Sequence, residues 1–190
     1  MPSQTFGPLI RIPDQRTEDG GQCYGRCMAG QHTLNETEGA VASKLDGLEL
    51  DFEAMAVTSN LFRAANAVRN HLERTVLAKS DLTWTAFVVL WVVWIWEPIQ
   101  TRGIAAEGGF SKATLSGVLT TLEKRGLLIR RKSEDDGRLV LVSLTISGRR
   151  LMKRLFPKFN EEERNITRHL PAEDLPDAAR MLREIIRATE

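Results

Sequence analysis

Residues 111–145, SKATLSGVLTTLEKRGLLIRRKSEDDGRLVLVSLT, decide the reading of this chain. Leu115, Val118, Leu119 and Leu122 recur at i, i+3, i+4 and i+7, which gives a helix one apolar face and leaves the other polar. Ser111 stands where a hydroxyl caps the free amides of the first turn. Gly126 follows the last turn, where a left-handed residue closes a helix at little cost. After Gly126 the pattern becomes extended. Leu127–Ile129 lead into Arg130, Arg131 and Lys132, and a second strand returns over Leu139–Leu144. Between them Ser133–Gly137 form the reversal, with Asp136-Gly137 supplying the backbone angles of a hairpin turn. A polar-faced helix joined directly to a basic hairpin reads as a winged helix-turn-helix, with the helix in a major groove and the hairpin tip at the backbone or minor groove.

Charge points to the same segment. The 190-residue chain carries a net charge of +1. Residues 102–154, however, hold 12 Lys and Arg against 5 Asp and Glu, a local +7. The remaining stretches, 1–80, 81–101 and 155–190, are each at −2, so the whole basic surplus lies on the proposed reading head.

Outward from that head, 99–109 reads as a short helix and turn, weakened by Gly103. Residues 82–97, LTWTAFVVLWVVWIWE, contain all four tryptophans and end before Pro98. The apolar run 84–96 is 13 residues, short of the roughly 20 that span a bilayer, so a buried helix is expected and no membrane association. Four rigid indoles also suit a pocket for a flat ligand. From Asp51, a plausible N-cap, to Lys79 the spacing predicts one long helix. After the wing, Thr145 caps a helix through Leu151, Met152, Leu155 and Phe159, which Pro157 should kink or divide. A last helix over 173–188 presents Leu175, Ala178, Ala179, Leu182, Ile185 and Ile186 at helical spacing.

Residues 1–45, rich in glycine and poor in periodic apolar residues, read as a flexible extension. Within it Cys23, Cys27 and His32 fall short of a zinc site, which needs four ligands, and no metal or cofactor is expected. The two thiols leave a redox-sensing regulator as an alternative. The N-terminus lacks a secretory pattern, which predicts a cytoplasmic protein. His32, His71 and His169 lie on separate segments with no nucleophile–base spacing, so no enzyme is expected.

The run from LTWTAFVVL through ISGRRL resembles the MarR family of bacterial transcriptional regulators, over roughly Asp51 to the C-terminus. The wing carries the most specific part: Asp136 and Arg138 in D-x-R, then Leu144, Thr145 and Gly148 in L-T-x-x-G. The resemblance implies a mainly α fold with a small β-hairpin wing. The winged helix-turn-helix would lie at about 82–145, between dimerisation helices at about 51–79 and 146–190. It also implies an obligate homodimer, a pseudo-palindromic double-stranded DNA operator and no enzyme activity. Carried over by position, Ser111, Lys112, Thr114, Ser116 and Thr120 would touch phosphates and base edges, with Arg130, Lys132 and Arg138 serving the wing. Arg138 would enter the minor groove, and Asp136 would hold the wing by pairing with Arg130 or Arg138. Gly117, Gln100 and Pro171 depart from the family pattern. The expected function is a repressor released by a small aromatic or lipophilic effector. That effector would sit between the first two long helices and the helix after the wing, at Phe62, Asn66 and Trp91. A protein-interaction module without DNA readout is the other alternative.

Overall fold

The computed structural model describes residues 32–133, 136 and 138–189. Cys23 and Cys27, and with them the redox alternative, lie outside the described residues. The chain divides into two units, residues 1–56 and 57–190.

In the first unit, the helix α1 (Leu34–Lys44) stands where a flexible extension was expected. Its start is a reciprocal cap. The Thr33 hydroxyl accepts from the Glu36 amide at 3.2 Å, and the Glu36 carboxylate accepts from the Thr33 amide at 2.6 Å. The signal T-x-x-E was present in the sequence. No residue of α1 is buried, so propensity and capping define it rather than a core.

The helix α2 runs from Phe52 to Leu72, and its first turn is capped by Asp51, whose carboxylate accepts from the Ala54 amide at 2.9 Å. The expected single helix to Lys79 instead changes pitch. A wide π-type turn (Glu73–Leu77) and a tight 3-10 turn (Ala78–Ser80) follow, and these turns bury Val76 and Leu77. The helix α3 (Trp84–Trp96) starts from the Thr83 cap and buries Ala86, Phe87, Val89, Leu90, Val92 and Val93.

Beyond Pro98 the reading of a helix over 99–109 needs correction. Ile99 and Gln100 form a strand, β1, paired antiparallel with Val142 and Leu141, and the helix α4 begins only at Thr101 and ends at Gly108. The pairing is long-range, and local propensity does not reveal it. The helix α5 (Lys112–Lys124) is followed by β2 (Leu128–Lys132) and β3 (Val140–Leu144), giving a three-stranded sheet in the order β1-β3-β2. In the hairpin Leu128 faces Leu144, Arg130 faces Val142 and Lys132 faces Val140.

The helix α6 (Ile146–Thr167) starts from Thr145, whose hydroxyl accepts from the Gly148 amide at 3.0 Å and donates to the Gly126 carbonyl at 2.6 Å. Pro157 does not divide it; the helix runs on for ten residues beyond. The helix α7 (Leu175–Thr189) follows a short turn over Ala172–Asp174 and buries none of its residues. The core joins α3, α4, α5, the sheet and the first half of α6, with Leu90, Val93, Ile104, Leu122, Val142 and Met152 fully enclosed. Among the described residues, no single helix is long and apolar enough to cross a membrane.

Candidate nucleic-acid interface

The helix α5 is set into the domain by Leu115, Leu119 and Leu122, exposed by 3%, 2% and 0%, each burial contributing roughly 1.5–3 kcal/mol. Fixing that face turns Lys112, Ser116 and Gly117 outward, with Thr120 half-buried beside them. At the N-terminus the Ser111 hydroxyl accepts from the Thr114 amide at 3.1 Å, and its Oγ lies 2.8 Å from the Thr114 hydroxyl. Both hydroxyls therefore act first as the cap. Ser116 and Thr120, in contrast, make no side-chain hydrogen bond among the described residues, whereas Thr121 turns its hydroxyl back to the Gly117 carbonyl at 3.0 Å. A Cβ on Gly117 would meet nothing within 4 Å, so no packing requires a glycine there.

The far end of α5 closes on Gly126, in the left-handed region at φ 67°, with Leu127 N donating to Leu122 O at 3.0 Å. Arg125 braces this end: its guanidinium donates to the Ser80 carbonyl at 3.0 Å and to the Asp81 carbonyl.

The wing departs from expectation in how its charges are used. Arg130 was expected on DNA or on Asp136. Instead its Nε donates to the Glu123 carboxylate at 2.9 Å, a second guanidinium nitrogen joins the same oxygen, and its backbone amide reaches the other oxygen at 3.2 Å. This charge-assisted pair, with both guanidinium nitrogens on one carboxylate oxygen, ties the last turn of α5 to the first strand of the hairpin. It also holds the Glu123 carboxyl below its usual range, the side-chain bond from Arg130 being the main cause. Asp136 does hold the wing, but not through a cation. Its carboxylate accepts from the Arg138 backbone amide at 2.9 Å, while its carbonyl accepts from Leu139 N at 2.9 Å. An acidic side chain bonded to an amide two residues on is a standard turn device, and it leaves the Arg138 guanidinium without an ion pair among the described residues. Glu134, Asp135 and Gly137 lie outside the described residues. Arg131, Lys132 and Arg138 are exposed.

Two contacts that the sequence did not suggest seat the hairpin. Glu97, after α3, accepts from the Leu144 amide at 2.6 Å and from Arg149 Nε at 2.8 Å. Gly148 lets α6 pass directly against the chain leaving α5, because a Cβ there would overlap the Leu127 carbonyl and sit 3.4 Å from Leu144 Cβ.

The expected effector residues are not gathered. Phe62 is 68% exposed and Asn66 is exposed, both on α2. Trp91 instead stacks on Phe156 of α6 with centroids 4.6 Å apart, flanked edge-on by Trp94 at 5.8 Å. Trp84 and Phe87 meet Phe159 at 6.2 and 4.4 Å. The aromatic residues of α3 thus fill the seam between α3 and α6 in place of the expected pocket.

A capped helix with an outward polar face, followed by a braced basic hairpin, defines a winged helix-turn-helix DNA-binding protein. Residues 82–140 match the model of the MarR family. The chain is 34% identical over 155 residues to the uncharacterised HTH-type transcriptional regulator YwaE of Bacillus subtilis, covering 80% of this chain and 91% of that one. The protein belongs to the MarR family, whose members here are transcriptional regulators. Among solved structures it is similar to BpsR of Bordetella bronchiseptica, whose DNA binding is regulated by 6-hydroxynicotinic acid. That match has a TM-score of 0.62 and 28% identity, over 68% of this chain and 97% of that one. The fold is also that of MepR of S. aureus in its DNA complex, with a TM-score of 0.62 and 21% identity, over 70% and 98% of the two chains.

Proposed function

We propose that the protein is a homodimeric repressor that reads a pseudo-palindromic operator and leaves it when a small aromatic or lipophilic ligand binds. The observation that carries the DNA reading is the outward face of α5, where Ser116 and Thr120 have no side-chain partner among the described residues, beside the exposed Arg138 at the wing tip. Ser116 and Thr120 are assigned to base edges, Ser111, Lys112 and Thr114 to phosphates, Lys132 to the backbone and Arg138 to the minor groove. Arg130 is reassigned from contact to brace, since Glu123 occupies it.

What supports pairing of two copies is apolar surface left exposed among the described residues. Val57 and Phe62 on α2, and Met181, Leu182 and Ile186 on α7, are 46–68% exposed. Two heads on one dimer then meet half-sites about one helical turn apart. The ligand reading draws on the regulation of BpsR by 6-hydroxynicotinic acid and on the open position of Phe62 and Asn66 beside the dimer surface.

Arg138→Ala tests the wing. Binding to DNA recovered from genomic fragments should weaken across all sequences, and the slope of log affinity against log salt should fall by about one unit. An unchanged slope and affinity would remove the wing from the interface. Repeating the recovery with aromatic compounds tests release.

A further inference from the structure

Away from the reading face, a cleft of about 420 Å³ opens where the 3-10 turn after α2, the end of α5 and the first turns of α6 come together. Lys79, Arg125, Arg150 and Arg154 line it, and no Asp or Glu does. Ser80 and Ser147 add two hydroxyls, and the buried Leu127 and Leu151 form an apolar floor.

The charge here is only partly offset from within, by Asp81 beside Arg125 and by Glu162 toward Lys79. Lys79, Arg150 and Arg154 have no ion pair among the described residues. Arg150 and Arg154 stand four apart on α6, a like-charge arrangement that a helix disfavours unless something compensates it. The carboxylates nearby leave Arg150 and Arg154 without an ion pair among the described residues. Glu162 is bonded to His71 at 2.6 Å and to Asn165 at 3.3 Å, and Asp81, 97% exposed, lies 3.8 Å from Arg125. Arg125 itself is held in position by the Ser80 and Asp81 carbonyls, so its charge is fixed in place before any ligand arrives.

We infer that this cleft binds a small phosphate-bearing anion carrying at least two negative charges. One carboxylate would leave Arg150 or Arg154 uncompensated, whereas a phosphate ester or pyrophosphate accepts several charge-assisted hydrogen bonds at once. The volume suits a small molecule, within the roughly 300–1,000 Å³ of ligand sites. A duplex phosphate is the lesser fit. Arg125 lies about 20 Å along α5 from Lys112, at 1.5 Å per residue, and a backbone phosphate has no use for a leucine floor. An anion bound here would bridge the 3-10 turn after α2, the end of α5 and the start of α6. The binding claim stands independently of any operator.

The probe is pyrophosphate, titrated calorimetrically into the full chain at constant ionic strength. Saturable binding is expected, weakened about tenfold or more in Arg150→Gln/Arg154→Gln and retained in Lys112→Gln/Arg138→Gln. A melting curve checks that each variant is folded, and Lys79→Gln serves if the double variant is not. Absence of saturable binding would overturn the inference. So would binding lost only in the Lys112/Arg138 variant, which would place the anion on the DNA face. The same titration with duplex DNA and no pyrophosphate is the second arm. If Arg150→Gln/Arg154→Gln reduces duplex affinity and its salt slope, the cleft holds a DNA phosphate and the small-molecule assignment falls.

Discussion

The helices α3 and α7 are close in length, at 13 and 15 residues, and both are marked by apolar residues, yet α3 buries six side chains and α7 none. Their sequences explain the difference. WTAFVVLWVVWIW is apolar all round, which only a helix enclosed by its own chain tolerates, and it is met by the sheet, by α4 and α5, and by Phe156 and Phe159 of α6. The other, LPDAARMLREIIRAT, confines its apolar residues to one stripe and fills the rest with charge, including Arg180 bonded to Asp177 and Glu184 at 3.1 Å. A stripe left open among the described residues is the surface proposed here for a second copy. The enclosed region holds the reading head rigid, and the open one is proposed to set how two heads are spaced.

If that contrast is right, one methyl group in the enclosed region should harm folding more than two charges on α7. Gly148→Ala puts a Cβ into the Leu127 carbonyl, which is backbone and has no rotamer with which to yield. The expected loss in urea-unfolding free energy is about 3 kcal/mol or more, above the usual range for overpacking because the clash is with main chain. A loss under about 1 kcal/mol would show that α6 slides freely along the sheet. Next in size is Leu182→Asp/Ile186→Asp. The monomer should keep its helical content, since neither side chain is buried. Sedimentation should report a single copy, and operator affinity should fall about 100-fold as the second head loses its tether. A dimer that survives both charges would move the pairing surface elsewhere.

What could be read ahead of the structure was local. The Ser111 cap, the Leu115–Leu122 face, the Gly126 stop and the paired basic strands all follow from spacings of a few residues, and each was found where the pattern put it. The α1 cap is legible too, as T-x-x-E at Thr33 and Glu36, within a segment whose glycine-rich composition argues against a helix. Long-range partners carried no such mark. Nothing near Ile99 announces its partner Val142 in β3, 43 residues on, and nothing in the tryptophan run announces that it packs on Phe156 and Phe159. Glu97 likewise reads as the charged end of an apolar helix until Leu144 and Arg149 are brought to it. The wing is marked by its charges, but the Glu123 partner of Arg130 is not, because partnering depends on which strand residue faces α5.

The smallest expected effect lies inside the reading head, at Glu123 and Arg130, where α5 is tied to the hairpin. The Glu123 carboxyl, held low chiefly by the bond from Arg130, stays ionised in the folded chain at pH values where the unfolded chain has begun to protonate. The brace is therefore complete above the ordinary glutamate value, about 4.3, and is lost only as pH falls through the lower folded value. Operator binding between pH 6 and 8 should show no dependence from this pair. The Arg130 side-chain Nε–H resonance, followed from pH 6 to 3, should move with a midpoint on the acid side of 4.3 and stay still in Glu123→Gln. That variant keeps an oxygen to accept from the guanidinium, so its operator affinity should drop by about threefold at most, as for other partly exposed pairs. A much larger drop would mean that Arg130 does more than brace the hairpin. A gain in affinity would mean that Glu123 withholds a cation from the duplex, returning Arg130 to the contacts from which its geometry has removed it.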